Sequence, residues 1–443
     1  MLFIIPILLI IGGVYCYDKY FKSKGSSGSS LSSSNSGTPS APVNMDGSTV
    51  ILKLGGSSTV GDALAPAIVK KFMEQNGYSD VQIASTSKEE KSVIGTKDGK
   101  KDRIDIASKG TGKGFKALTA NEIDICMASS PAPAGSTYEE HPIGLDGIAI
   151  VVNKGSTMQS IGYDEIKNVF STSSSIYRMD ENAGISKVFK EAVMGSSEIS
   201  KSAKMFPKSA ELITALSGDA SGIGFLSYTL IGNGNIRALP ITVQAGMPGI
   251  VPNALTIQSE KYPLCRRLYM YTNHSSNPLT SKIIEFAESI EGQNIVNEIG
   301  FVNLNINVNN NSINPIAQPN DPPEYTTLIG NSTKVITEFR FLLNSGSLDS
   351  RGVADILRLS QFIGKPENRS KKVILVGFTD NTGNNKANMA LSIKRATSVK
   401  VLLEASGINV TKVMGFGSAR PVRSNATEED RANNRRVEVW LVN

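Results

Sequence analysis

A chain of 443 residues with 40% apolar and 19% charged content is too long for one ordinary hydrophobic core, so two or three folded units are expected. The net charge of +6 is unevenly carried: residues 331–443 hold 18 Lys/Arg against 10 Asp/Glu, and the first 330 residues hold 28 against 30. A basic C-terminal unit draws anionic polymers, but no aromatic-studded basic face or reading motif accompanies it, which excludes nucleic acid as a partner. Cys16, Cys126 and Cys265 lack metal-ligand spacing, which excludes a metal centre.

Residues 1–24 open the chain with an almost wholly apolar run from Leu2 to Tyr17. Its sixteen residues fall short of the ~20 that span a bilayer, so a signal peptide and an uncleaved membrane anchor both fit. Lys19, Lys22 and Lys24 follow the run instead of preceding it, which by the positive-inside rule favours a cytoplasmic C-terminal side. Tyr15 stands before Cys16, where a lipoprotein signal wants a small residue. Residues 25–47 are rich in Ser, Gly and Pro without apolar periodicity, and predict a flexible tether of about 25 Å mean span.

From residue 48 to 303 short strands alternate with helices. Val50–Leu54 predicts a strand, Gly55–Thr59 a turn, and Ala63–Gln75 an amphipathic helix. Strand, Gly/Ser turn and helix present backbone N–H groups where an anion can be held, with Ser58 and Thr59 adding hydroxyls. The device returns at Ser108–Gly114, where Thr111 and Gly112 open a helix, and Asp124–Pro131 predicts a buried strand that ends in Ser129 and Ser130. Three hydroxyl-rich turns at strand ends point to one shared pocket.

The order and wording of these segments, with Leu145-Asp146-Gly147, Gly222-Ile223-Gly224-Phe225, Tyr262-Pro263-Leu264-Cys265-Arg266-Arg267 and Glu291-Gly292-Gln293, resemble the PstS-like phosphate-binding proteins of ABC transporters. That resemblance implies the two-lobed α/β fold of type 2 periplasmic binding proteins and a site for a small anion such as phosphate. The residues it implies are Ser58, Thr59, Thr111, Gly112, Ser129, Ser130, Asp146 and Arg178. The chain departs from the pattern where Ala183 and Ile185 replace two hydroxyls and where Ser130 replaces an acid. Each lost hydrogen bond to a charged group is worth ~1.5–3 kcal/mol, so phosphate, another oxyanion and an empty pocket all stay open.

Residues 304–324 are rich in Asn and Pro with little apolar content and predict a second linker. Residues 325–443 form the last unit. Strand Val335–Leu343 and helix Arg351–Ile363 begin it, and Val373-Ile374-Leu375-Val376-Gly377 predicts a buried strand that ends at Thr379 and Asp380. Residues 381–385 supply turn chemistry. The helix 386–405 follows, with Ala387, Leu391, Val399, Leu402 and Leu403 as its apolar positions and Asn388, Leu391 and Arg395 on one inward stripe. An inward Arg395 needs a partner, either Asp380 or a carboxylate brought by a ligand.

Thr379, Asp380, Gly383, Asn388, Leu391-Ser392, Arg395-Ala396 and Val399, with Gly415-Phe416-Gly417 and Asn434-Arg435-Arg436-Val437-Glu438, resemble the OmpA-like peptidoglycan-binding domain over residues 331–443. The resemblance implies a small α/β sandwich of helices on a mixed sheet. It also implies that Asp380 takes the ammonium and Arg395 the carboxylate of the diamino acid in the peptidoglycan stem peptide, with Thr379, Gly383 and Asn388 around them. A carboxylate that only accepts and a planar guanidinium that only donates suit a zwitterion.

The OmpA-like motif outweighs the three lysines after the apolar run, so the expectation is a periplasmic cell-envelope binding protein, anchored to the membrane through its N-terminus, with no cofactor and no enzymatic activity. His141 and His274 are isolated, and no Ser or Cys sits in a recognisable nucleophile elbow. Two alternatives stand beside it: a purely structural membrane-to-wall tether with an empty middle domain, and an import receptor that delivers phosphate to a permease.

Overall fold

The strand expected over Val50–Leu54 runs from Thr49 to Gly56, one residue longer at its N-terminal end and two at its C-terminal end. The computed structural model describes residues 47–443, apart from 182, 244–247, 274–276, 307–314, 316, 342–346, 424, 426–427 and 443. The expected anchor and nearly all of the first tether lie outside the described residues. Among those described, no helix is long and apolar enough to cross a membrane.

Strand Thr49–Gly56 pairs in parallel with Lys100–Ala107 on one side and Ile125–Ala128 on the other. Their apolar positions, with helix Leu64–Gln75 and helices Pro278–Glu288 and Ile290–Glu298, close a first core around Leu52, Leu54, Val69, Ile104 and Ile283. The long strand Glu139–Asn153 carries the chain into a second lobe. Its first half pairs with Cys265–Thr272, and its second half with Ile223–Ser227 and Ile236–Ala238. The second lobe has its own core, built on Ile150, Phe170, Phe189 and Phe225. Strand Cys265–Thr272 joins the lobes as well, with Cys265 against the second core and Leu268 and Met270 in the first.

In the last unit four strands run in the order Thr333–Arg340, Arg436–Val442, Lys372–Gly377, Val410–Gly415. Helices Ser350–Ile363 and Asn385–Ala405 cover one face, with Val373, Leu375 and Val439 beneath them. The other face is also closed: Tyr325 and Leu328 of helix Pro323–Asn331 pack on Val376, Phe378, Phe416 and Trp440. A strand buried on both faces explains why residues 373–376 read as an unbroken apolar run.

The expected second linker is described only in part. Leu304 is buried in the second lobe's core, Ile306 in the C-terminal core, and helix Pro323–Asn331 begins within the stretch. The two large units are packed together through a buried carboxylate. Glu260 accepts from Arg267 Nε at 2.6 Å and from Arg351 Nη1 at 2.6 Å, and it also pairs with Arg340. Arg267 belongs to the two-lobed unit, Arg340 and Arg351 to the C-terminal one. Burial alone would raise the Glu260 carboxyl, but the three guanidinium groups more than offset it and hold the group well below the usual carboxylate range. Glu260 holds φ 54°, a left-handed conformation that costs a non-glycine residue about 1 kcal/mol. Nearby, Arg267 Nη2 meets Asp349 at 2.8 Å, and Arg423 donates to the Glu260 carbonyl.

Candidate functional sites

Asp380 leaves the sheet three residues after strand Lys372–Gly377 ends. It is 9% exposed and accepts from the Thr382 N–H at 2.9 Å and from Arg435 Nη1 at 3.0 Å. Burial raises its carboxyl, whereas the Thr382 N–H and Arg435 pull it down and prevail, so the group stays ionised. Gly383 turns the chain with φ 90°, and Asn384 caps helix Asn385–Ala405 by accepting from the Ala387 N–H at 2.8 Å.

The inward stripe of that helix differs from the expected one at Leu391, which faces outward, as does Ala387 among the expected apolar positions; the buried residues are Asn388, Ser392, Arg395, Ala396, Val399 and Leu403. The cause is close packing. A Cβ on Gly377 would collide with the Ser392 carbonyl oxygen, and one on Gly415 with the Ser392 hydroxyl. At that distance only a small residue fits between helix and strand ends, so Ser392 turns in and Leu391 turns out.

Arg395 is 2% exposed, and its Nε and Nη1 have no hydrogen-bond partner among the described residues. Its guanidinium lies over the Phe341 ring, 5.3 Å from the centroid. Burial and the nearby Arg435 push Arg395 below its ordinary value, with Asp380 acting the other way. Asp380 therefore has a cation already, and that cation is Arg435, not Arg395. Arg435 also donates to Glu428 at 2.7 Å. Arg435 was visible in the sequence only as part of the closing Asn434-Arg435-Arg436 motif, and no spacing rule marked it as the partner of Asp380. Asn388 is buried against Gly383 and Gly417, and Thr379 is 3% exposed with its hydroxyl unpartnered among the described residues.

The second constellation lies at the C-terminal ends of the parallel strands in the first lobe. Ser58 and Thr59 start the single-turn helix Ser58–Gly61, which precedes helix Leu64–Gln75. Thr111 and Gly112 start helix Thr111–Thr119, and the Thr111 hydroxyl accepts from the Ser129 N–H at 3.4 Å. From the second lobe Gly184 faces them: a Cβ there would lie 3.6 Å from both the Ser58 and Thr59 hydroxyl oxygens. Ser58, Thr59, Thr111 and Ser129 are thus brought to one rim, with Ser130 next in the chain and Gly112 exposed on its helix.

The arginines there are engaged internally. Arg178 Nη2 donates to Glu181 at 2.8 Å while its buried Nε has no partner among the described residues. Asp146 is 6% exposed and pairs with Arg266, whose Nη2 lies 2.9 Å from the carboxylate and 3.1 Å from the Thr59 hydroxyl. Arg266 is the residue that reading the sequence for chemistry overlooked, because it sits in an apolar strand far from any Gly/Ser turn. Cys126 and Cys265 are free, and burial pushes each thiol up to about 12, which makes them inert.

The PBP superfamily domain model matches residues 32–289, and the OmpA family model matches residues 340–435. Protein SphX of Synechococcus elongatus is 24% identical over 234 residues, 45% of this chain and 69% of SphX. The probable lipoprotein YiaD of Escherichia coli is 44% identical over 71 residues, 16% of this chain, so that the match spans only about a third (32%) of that relative's length. Among solved structures, a possible phosphate binding protein from Planctomyces limnophilus aligns with 58% of this chain and 93% of its own, at 21% identity and a TM-score of 0.47.

Proposed function

We propose, from the premise that this chain belongs to the PBP superfamily and carries an OmpA family region behind that domain, that it is a cell-envelope binding protein rather than an enzyme. Residues 325–443 attach it non-covalently to peptidoglycan, residues 48–303 present a PstS-like pocket for a small anion, and residues 1–24 anchor it to the membrane with 25–47 as tether. The relatives' printed names support the envelope: one is a probable lipoprotein of Escherichia coli, another an outer membrane protein A of Bordetella avium.

The observation that carries the wall-binding reading is a buried guanidinium with two unpartnered N–H groups beside a carboxylate that stays ionised. Arg436 also keeps two nitrogens over but is paired with Glu438, whereas Arg395 makes no ion pair among the described residues, and an unpaired buried charge costs several kcal/mol. A ligand carboxylate at Arg395 and a ligand ammonium at Asp380 would complete both, and the diamino acid of a stem peptide brings the two groups together. Asn388, Thr379 and Gly383 shape the rim around them.

Sedimentation of the full chain with purified sacculi tests this reading. Asp380→Ala and Arg395→Ala are expected to stay in the supernatant under conditions that pellet the wild type, with folding checked by circular dichroism. Wild-type pelleting of both variants would overturn it.

A purely structural tether is favoured by a different observation, the engagement of Arg178 with Glu181 and of Arg266, beside the Thr59 hydroxyl, with Asp146. Calorimetric titration with inorganic phosphate separates the two: heat that saturates supports Ser58, Thr59, Thr111, Gly112, Ser129, Ser130, Asp146 and Arg178 as an anion site, and its absence supports the tether. Delivery of phosphate to a permease is the least supported reading, because the face around Glu260 is covered by the C-terminal unit.

A further inference from the structure

Between the two constellations lies a cleft of about 550 Å³, bounded on one side by Ser129, Ser130 and Arg266 and on the other by Phe341, Glu428 and Arg435. Arg266 lines this cleft and also donates to Thr59, so it belongs to the anion rim as well. Arg435 lines the cleft and holds Asp380, and Phe341 lines it and carries Arg395 on its ring. The cleft therefore adjoins both candidate sites, through Ser129, Ser130 and Arg266 at one end and through Phe341 and Arg435 at the other.

The charges along that space are unequal. Its acids are committed: Glu260 to Arg267, Arg340 and Arg351, Asp349 to Arg267, and Glu428 to Arg435. Its guanidinium groups are paired as well, Arg266 with Asp146 and Arg435 with Asp380 and Glu428, but they keep donors over. Arg266 Nη1, Arg435 Nε, and Arg395 Nε and Nη1 are buried without partners among the described residues. Donors left over at both ends of a cleft large enough for a drug-sized ligand call for an acceptor at each end.

We infer that the interdomain cleft takes one extended peptide with at least two carboxylates, a cell-wall stem peptide, with one carboxylate at Arg395 and Arg435 and another at Arg266 beside Ser129 and Ser130. This rests on the peptidoglycan reading and deepens it: the PstS-like unit supplies the far half of the wall site. A free anion and a wall peptide would then compete for Arg266.

Calorimetric titration of the full chain with a soluble muropeptide bearing the stem peptide decides it. Arg266→Gln is expected to weaken muropeptide binding by at least about 10-fold, the loss of one charge-assisted hydrogen bond, and Arg395→Gln by more. Because Arg266→Gln leaves Asp146 without its cation, Ser130→Asp is the second probe: it adds a carboxylate to the rim, removes no ion pair, and is expected to weaken binding by repulsion. Wild-type affinity in Ser130→Asp together with loss in Arg395→Gln overturns the shared cleft and leaves the peptidoglycan reading standing. Wild-type affinity in Arg395→Gln overturns both.

Discussion

The C-terminal clamp and the anion rim handle their arginines in opposite ways. In the clamp, Arg435 takes the internal carboxylate of Asp380 and leaves Arg395 buried with two N–H groups unspent. In the rim, Arg178 and Arg266 each have an acid of their own, Glu181 and Asp146, and each leaves a single nitrogen over. A guanidinium with no internal acid and two buried donors unspent holds a guest anion more strongly than cations half neutralised from within. The same contrast explains why the C-terminal unit supports a definite ligand and the larger unit only a class of ligand.

The contrast depends on both sites facing one cleft, and the Glu260 cluster holds them there. Glu260→Ala would leave Arg340 without its acid and Arg267 and Arg351 with only Asp349 and Asp355, three guanidinium groups crowded in a buried place, with a loss of about 3–5 kcal/mol. Chemical denaturation of the full chain should then show two transitions where the wild type shows one, as the C-terminal unit parts from the two-lobed unit. A single transition at wild-type midpoint would break the comparison, because the two sites would not need the cluster to share a cleft.

Next in size is Arg395→Ala, expected to lower sacculus affinity by about 2–4 kcal/mol, since it leaves one end of a zwitterion without its partner. Arg395→Lys should recover little of this, because an ammonium keeps the charge but lacks the planar fork and its stacking on Phe341. An equal loss with Arg178→Ala would erase the distinction between clamp and rim.

Much of this architecture was legible in the sequence, because periodicity and turn chemistry report on what a segment does locally. The strand 373–376, the turn at residues 381–385 and the helix to Ala405 follow from apolar runs and Asn/Gly turn chemistry. Asp380 and Arg395 were legible as a spacing. What the sequence hid is non-local. Ser392 and Leu391 exchange places because Gly377 and Gly415 let the helix come close, which no helical period encodes. The pairing of Asp380 with Arg435 spans 55 residues, and that of Glu260 with Arg351 spans 91. Arg266 was invisible as a site residue because its neighbours read as an ordinary strand, and only the fold brings it to Thr59.

Acid gives a third and smaller test. The folded Glu260 carboxyl lies well below its unfolded value, so its stabilisation is fully present above pH about 4.3, the ordinary glutamate value, and is lost as pH falls from there toward the folded value. Thermal midpoints should stay level from pH 7 to 5 and decline below about pH 4. Glu260→Gln has no carboxyl to protonate and should show a shallower decline. If both proteins trace the same acid limb, the cluster is not what couples the two units.

The smallest effect is the most informative about the rim. Glu181 is largely exposed, and its ion pair with Arg178 is of the screened surface kind, so removing it should leave stability almost unchanged. Hydrogen bonding and charge from Arg178 hold the Glu181 carboxyl below its ordinary value, and the acid therefore competes with any anion for that guanidinium at neutral pH. Glu181→Gln should free Arg178 toward the pocket and strengthen phosphate binding a few-fold by calorimetry, with the gain shrinking as salt screens the pair. A rim that responds in this way is a binding site restrained by its own acid. A rim whose phosphate affinity does not move when Glu181 is removed lacks its hydroxyls more than its cation, and Ala183 and Ile185, where the PstS-like pattern carries hydroxyls, become the positions to restore.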